Sequence, residues 1–308
     1  MDNIFKKFYR ETYHKTGGYF SVIPNSGNVY PGDFFQIRNG QLIFLGNIFN
    51  PTIINASEVD FENNISLNPS NWNFQQGCSK PYSGRGTGQN AVEGEFEFSK
   101  QVLAFDDSGS FIFKGNDPKA FRIANWSQIQ DELIIKLTQT YYSFRELYLV
   151  TECVTLKDWT LAIAGKEEAE LEIATESENF GLVDIFGESS SKTIQSKDMA
   201  YYHQEMARKS EFFKAKKLVV QEGKVEIFIS DMIKRQESHQ QWANDFYDQP
   251  LDSQVSHFSN AGMYNARASL LDLLQGNQLN PNTALEYFKW VNADLDDLER
   301  FFEVYGGK

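Results

Sequence analysis

Apolar residues fall at helical spacing near the N-terminus. Ile4, Phe5, Phe8 and Tyr9 share one face of residues 3–14, with Lys6, Lys7 and Arg10 around it and Gly17-Gly18 at the end. This predicts a short amphipathic helix, either docked on the body or lying on a membrane surface. From Tyr19 the pattern turns to extended apolar runs, YFSVIP and QLIFLGNIF, bracketed by Pro24, Pro31-Gly32 and Asn39-Gly40. Asn39-Gly40 stands between FFQIR and QLIFL, and both residues tolerate positive φ, so a two-residue β-hairpin is predicted there. Residues 63–91 are rich in Asn, Ser, Gly and Pro without a sustained period and read as a long loop. Gly84, Gly86 and Gly88 around Arg85 lack phosphate-loop spacing and read as surface.

A period of two follows. Glu93, Glu95 and Glu97 point one way and Gly94, Phe96 and Phe98 the other; a turn at Asp106-Asp107-Ser108-Gly109 then leads into Ser110-Phe111-Ile112-Phe113. An amphipathic hairpin over about 91–115 is expected. Trp126, Ile129, Leu133 and Leu137 predict a helix of about three turns. Residues 147–176 carry the longest β signal, with Trp159, Leu161 and Ile163 before a turn at Gly165-Lys166, and Ala169, Leu171 and Ile173 alternating with Glu170 and Glu172 after it. Residues 197–213 place Met199, Tyr202, Met206 and Phe213 on one side and read as helix; EFFKAKKLVV and KVEIFIS return to a hairpin pattern. The predicted class is α+β: a twisted, mainly antiparallel sheet with packed helices, plus a small C-terminal helical unit.

Polar, aperiodic residues 235–261 divide the chain into a body at 1–234, a linker, and a helical regulatory unit at 262–308, in which Asn280-Pro281 supplies a helix start. The unit ends on Leu295, Leu298, Phe301, Phe302 and Tyr305. A net charge of -13 argues against a protein that tracks nucleic-acid phosphates, so no nucleic-acid partner is expected. Beyond residue 240 there are 10 acidic and 4 basic residues, which makes the C-terminus the more acidic part. Cys78 and Cys153 are the only cysteines, so neither a disulfide framework nor a zinc knuckle is available. The N-terminus is too charged for a signal peptide and Asp2 excludes myristoylation there. A soluble, cytoplasmic chain is expected, without excluding later insertion as strands.

Candidate chemistry is sparse. Four histidines in no ligand spacing make a metal or other cofactor unexpected, and no catalytic residue is assigned. Cys153 lies in a strand pattern and reads as a buried small hydrophobe. Glu152 with Lys157 resembles a carboxylate–lysine nuclease site only loosely; a solvated strand face accounts for both. Arg208, Lys209, Lys214, Lys216 and Lys217 form the densest cationic cluster and, with Lys6, Lys7 and Arg10, are candidates for binding anionic lipid headgroups at roughly 1 kcal/mol each. A solvated element end would explain the same residues.

Three stretches resemble the pore-forming domain of gasdermins, particularly the bacterial branch: GYFSVIPNSGNVYPGDFF with QLIFLGNIF, LYLVTECVTLKDWTLAIA, and SEFFKAKKLVV, within roughly residues 17–230. The resemblance implies a non-enzymatic, autoinhibited effector of bacterial cell death or anti-phage defence. It implies an activating protease acting in the linker, assembly into a homo-oligomer, and insertion of amphipathic hairpins into the inner membrane. The membrane-facing residues would be Phe96, Phe98, Phe111, Phe113, Trp159, Leu161, Ile163, Leu171 and Ile173. Each hairpin strand has about the 9–11 residues that a tilted membrane strand needs. Two other classes stay open: an acidic binding or immunity-type protein that neutralises a basic partner, and an enzyme with a paired-carboxylate site.

Overall fold

The computed structural model describes residues 4–24, 27–38, 41–49, 53–90, 94–139, 147–175, 185–188, 190–221, 223–224, 281–297 and 299. From the N-terminus the chain forms α1 (Lys6–Thr16), β1 (Phe20–Ser21), β2 (Asp33–Arg38), β3 (Gln41–Asn47), β4 (Phe61–Ser66), β5 (Asn73–Gln76), β6 (Cys78–Asn90), β7 (Gly94–Phe105), β8 (Phe111–Asn116) and β9 (Lys119–Ile123). There follow α2 (Trp126–Gln139), β10 (Leu147–Leu156), β11 (Asp158–Ala164), β12 (Ala169–Thr175), β13 (Lys192–Lys197), β14 (Met199–Glu205), β15 (Lys209–Val220), α3 (Pro281–Tyr287) and β16 (Phe288–Asn292). The architecture is mostly antiparallel sheet with few helices.

The body is built on β10 and β15, which pair along nearly their whole length. Each has a second edge shared by two short strands. β10 takes β2 at Leu147–Leu149 and β9 at Glu152–Thr155, while β15 takes β1 at Phe212–Phe213 and β16 at Lys216–Val220. β3 lies beyond β2, and β4 beyond β9. β2 and β3 pair from Asp33↔Asn47 to Arg38↔Gln41, as the Asn39-Gly40 signal predicts. The turn residues themselves lie outside the described part.

α1 ends where expected. Gly17 adopts φ 79°, a left-handed conformation that costs glycine no Cβ clash, and the Gly18 N–H returns to the Tyr13 carbonyl. Phe8, Thr12 and Thr16 are the buried residues of α1. α2 presents Ile129, Leu133 and Leu137 to a core that also contains Leu147, Leu149 and Leu218.

The remaining strands form a second assembly. β5, β8, β11 and β14 lie side by side, and β6, β7, β12 and β13 continue them in the same order. Four long antiparallel runs therefore make one ribbon of two adjacent hairpins, with a half proximal to the body and a half distal to it.

Four expectations need correction. Residues 63–91 are not a loop: they contain part of β4 and all of β5 and β6, and β6 pairs with β7 from Cys78↔Phe105 to Asn90↔Gly94. An edge strand with one partner needs no apolar face, so its composition looks like loop. Residues 199–205 are strand rather than helix, because pairing of Tyr202 with Ala162 and Tyr201 with Ile163 overrides a weak helical spacing. Asp106–Gly109 and Gly165-Lys166 are not hairpin turns; β7 and β8 continue one run, β11 and β12 another, and β7 lies between β6 and β12. Residues 288–292 add a strand to the body sheet where a helical unit was expected. The linker at 235–261 lies outside the described residues.

Candidate functional site

The two halves of the ribbon place the expected membrane-facing residues in different surroundings. Phe111, Phe113, Trp159, Leu161 and Ile163 belong to the proximal half and pack with Phe8 of α1, Trp72 and Phe74. They fasten the ribbon to the body. Leu171 and Ile173 belong to the distal half, with Leu171 opposite Leu103, and share a cluster with Phe105, Ile185 and Phe186. Phe96 and Phe98 sit in β7 opposite Gly88 and Gly86; their side chains lie outside the described part.

Period two gives the distal half a second, charged face. Glu170 and Glu172 alternate with the buried Ala169, Leu171 and Ile173, and Lys100 Nζ lies 2.6 Å from Glu172. The edge strand β13 is exposed at every residue and carries Lys192 and Lys197. On the apolar side, Ile185 and Phe186 cover the ribbon; Lys114 Nζ donates to the Phe186 carbonyl (2.8 Å) and Ser191 Oγ to the Ile185 carbonyl (2.5 Å).

The candidate lipid-binding cations are not brought into one open patch. Lys6 is exposed on α1, Lys7 pairs with Asp107 at 2.6 Å, and Arg10 pairs with Glu299. Arg208 engages Asp117 and Lys209 engages Glu205. Lys214 lies 4.3 Å from the Tyr19 ring centroid, Lys216 donates to Asn292 Oδ1 (2.8 Å), and Lys217 bonds Asp297. Seven of the eight therefore have an internal partner, and the partners of Arg10, Lys216 and Lys217 all belong to the C-terminal segment.

That segment is built into the body. Ala284, Tyr287 and Phe288 are buried in the α2 core, Trp290 Nε1 donates to the Gln130 carbonyl (3.1 Å), and the Ala293 N–H donates to the Ala215 carbonyl (2.9 Å). At its end, Asp297 is 3% exposed and accepts hydrogen bonds from Lys217 and from the Tyr148 hydroxyl (2.7 Å). Burial alone would raise the Asp297 carboxyl, but these bonds outweigh it and hold the group below the usual carboxylate range. Sequence reading missed this clamp, because Asp297 is one of many acidic residues and its partners are 80 and 149 positions away.

A second buried carboxylate joins the body to the ribbon. Glu211 of β15 accepts Trp159 Nε1 of β11 at 2.5 Å; Glu205, Lys209 and His203 act on it electrostatically, and burial pushes its carboxyl above the ordinary range. A raised folded-state pKa favours the fold below the ordinary carboxylate pKa, and that contribution is lost as pH rises through the raised value. Glu211→Gln keeps an acceptor for Trp159 and removes the buried charge. It is expected to raise the thermal midpoint at neutral pH, with the gain shrinking as the solution is acidified; scanning calorimetry between neutral and mildly acidic pH checks this.

Cys153 is buried in the body core, and desolvation pushes its thiol up, which makes it unreactive. Glu152 accepts the Tyr19 hydroxyl and stands cross-strand from Arg122 and Lys214, so its surroundings are those of a structural network. Among the described residues no group of His, Cys, Asp and Glu is placed to hold a metal, and no helix is long and apolar enough to cross a membrane.

No family model and no curated protein matches the chain. Among solved structures it is similar to a bacterial gasdermin from Bradyrhizobium tropiciagri, at 11% identity over 69% of this chain and 86% of that one, with a TM-score of 0.29. It is also similar to the gasdermin A3 membrane pore, at 10% identity over 70% of this chain and 90% of that one, with a TM-score of 0.27.

Proposed function

We propose that the chain is an autoinhibited pore-forming protein. Proteolysis in the connecting stretch at 235–261 releases the C-terminal segment, copies assemble, and the ribbon enters the bilayer as two amphipathic hairpins. The observation that carries this reading is the ribbon itself: four antiparallel runs, apolar on one face and charged on the other in the distal half, with β6 and β13 unpaired on their outer edges among the described residues. Open edges of this kind allow neighbouring copies to close a barrel, the one sheet arrangement a bilayer tolerates.

The C-terminal segment supports the inhibited state twice over. It covers the β15 edge at Lys216–Val220 and engages Arg10, Lys216 and Lys217. Its departure leaves these cations for anionic headgroups, at about 1 kcal/mol each near the surface. The inactive chain is proposed to be cytoplasmic and the assembled one to sit in the inner membrane, serving bacterial cell death and anti-phage defence.

The test places a specific protease site within 235–261 and measures dye release from vesicles of equal phosphatidylcholine and phosphatidylglycerol. Intact protein is expected to release nothing and cleaved protein to release both small dye and dextran. Cleaved protein that leaves the vesicles sealed overturns the proposal.

A further inference from the structure

The four runs of the ribbon all break step at one level. β5 passes into β6 through Gly77 and β13 into β14 through Asp198, while β7 reaches β8 through residues 106–110 and β11 reaches β12 through residues 165–168. Every crossing contains a residue with left-handed backbone: Gly77 at φ 62°, Gly109 at 76°, Glu168 at 54° and Asp198 at 55°. Only glycine adopts this region without strain, so Glu168 and Asp198 are held there by their surroundings.

Hydrogen bonds stitch the line from edge to edge. The Asp106 N–H donates to the Gly77 carbonyl (2.9 Å), the Ala164 N–H to Ser110 (2.9 Å), the Gly109 N–H to Ala164 (2.9 Å) and the Gly165 N–H to Asp198 (2.8 Å). Lys166 Nζ lies 3.2 Å from Asp198, and Ser108 Oγ donates to the Gly165 carbonyl (3.0 Å). The N-terminal end of α1 rests on the same line: Lys7 Nζ meets Asp107 at 2.6 Å, and a Cβ at Gly109 would stand 3.2 Å from the Ile4 carbonyl oxygen.

The strand ladders of the two halves stop on either side of this level, so rotation about it leaves the pairing within each half intact. We infer that the line is a crease. About it β6, β7, β12 and β13 turn as one leaf against the body, and α1 is the wedge that fixes the angle through Lys7 and Asp107. The strained backbone at Glu168 and Asp198 favours opening, because extended conformation there removes the left-handed φ. The inference deepens the proposed function by naming the joint through which the ribbon would leave the body.

The test uses the full chain in solution without lipid, so its failure is separate from a failure to leak vesicles. In a Cys78→Ser background, with buried Cys153 left in place, spin labels at Ser57→Cys and Gln195→Cys report the body-to-leaf distance, and labels at Ser79→Cys and Gln195→Cys report a distance within the leaf. Lys7→Gln is expected to broaden the body-to-leaf distribution at least twofold. Asp198→Val, which disfavours the left-handed region, is expected to shift its mean. In both, the distribution within the leaf is expected to stay as in the parent chain. A body-to-leaf distribution unchanged in both variants, or one that broadens together with the distribution inside the leaf, overturns the crease.

Discussion

Replacing Asp297 by alanine is expected to loosen the C-terminal segment from the body at a cost of about 3 kcal/mol. Removing one partner of a buried ion pair leaves the other charge uncompensated; the expected cost sits at the low end because Lys217 keeps 25% of its side-chain surface in water. The Tyr148 hydroxyl loses its acceptor in the same step. Amide exchange is expected to quicken at residues 216–220 and 288–292, the two strands that the clamp holds together. Asp296→Ala, one position away but exposed, is expected to leave both strands protected. The Asp297 carboxyl is held below the ordinary range, so its contribution is present above the ordinary carboxylate pKa and is lost only as pH falls through the depressed value. Mild acid alone is therefore expected to leave the segment in place.

The second large effect is expected at Phe8. Its ring is fully buried and lies 5.5–6.3 Å, centroid to centroid, from Phe74, Phe111 and Phe113, so it joins α1 to two strands of the proximal half at once. Phe8→Ala is expected to cost about 4 kcal/mol through lost burial and the cavity left behind. The resulting amide exchange is expected to rise in β5 and β8 first, and only later in β10 and β15, whose pairing does not depend on α1. Urea denaturation and exchange on the same sample check the magnitude and the order. Uniform loss of protection across both assemblies would show that α1 does not act as a local fastener.

Much of the fold is legible in the chain where one residue pattern decides one face. The α1 stripe around Phe8, the pairing of β2 with β3 on either side of Asn39-Gly40 and the Glu-and-apolar alternation of β12 follow from local signals, and the structure shows all three. The misses share a physical cause. β6 is an edge strand with Gly84, Gly86 and Gly88 and no need of a buried face, so nothing in its composition marks it as strand. Gly165 and Gly109 carry turn chemistry, but the turn bends a run instead of reversing it; only the distant partners of β7 and β12 reveal that. The candidate site divides in the same way. The cations between Arg208 and Lys217 are visible as a cluster, whereas their neutralisation depends on Asp117, Glu205, Asn292 and Asp297, which the sequence does not place beside them.

The relation between the two assemblies gives the proposal its mechanical content. The proximal half of the ribbon is pinned by aromatic packing under α1, while Ile185 and Phe186 pack with Leu171 and Ile173 of the distal half and with Ile112 and Ala162 of the proximal half. In the proposed mechanism the distal hairpins leave while β10 and β15 stay paired.

The most direct measurement places an environment-sensitive fluorophore, one position at a time, at Glu170, Leu171, Glu172 and Ile173 in cleaved protein bound to phosphatidylglycerol-containing vesicles. The expected result is alternation: probes at 171 and 173 shift to the emission of a lipid environment and are quenched by lipid-borne quenchers, while those at 170 and 172 report water. Four probes that keep the emission they show in the uncleaved, soluble chain would contradict the account, because the ribbon would then have stayed on the body.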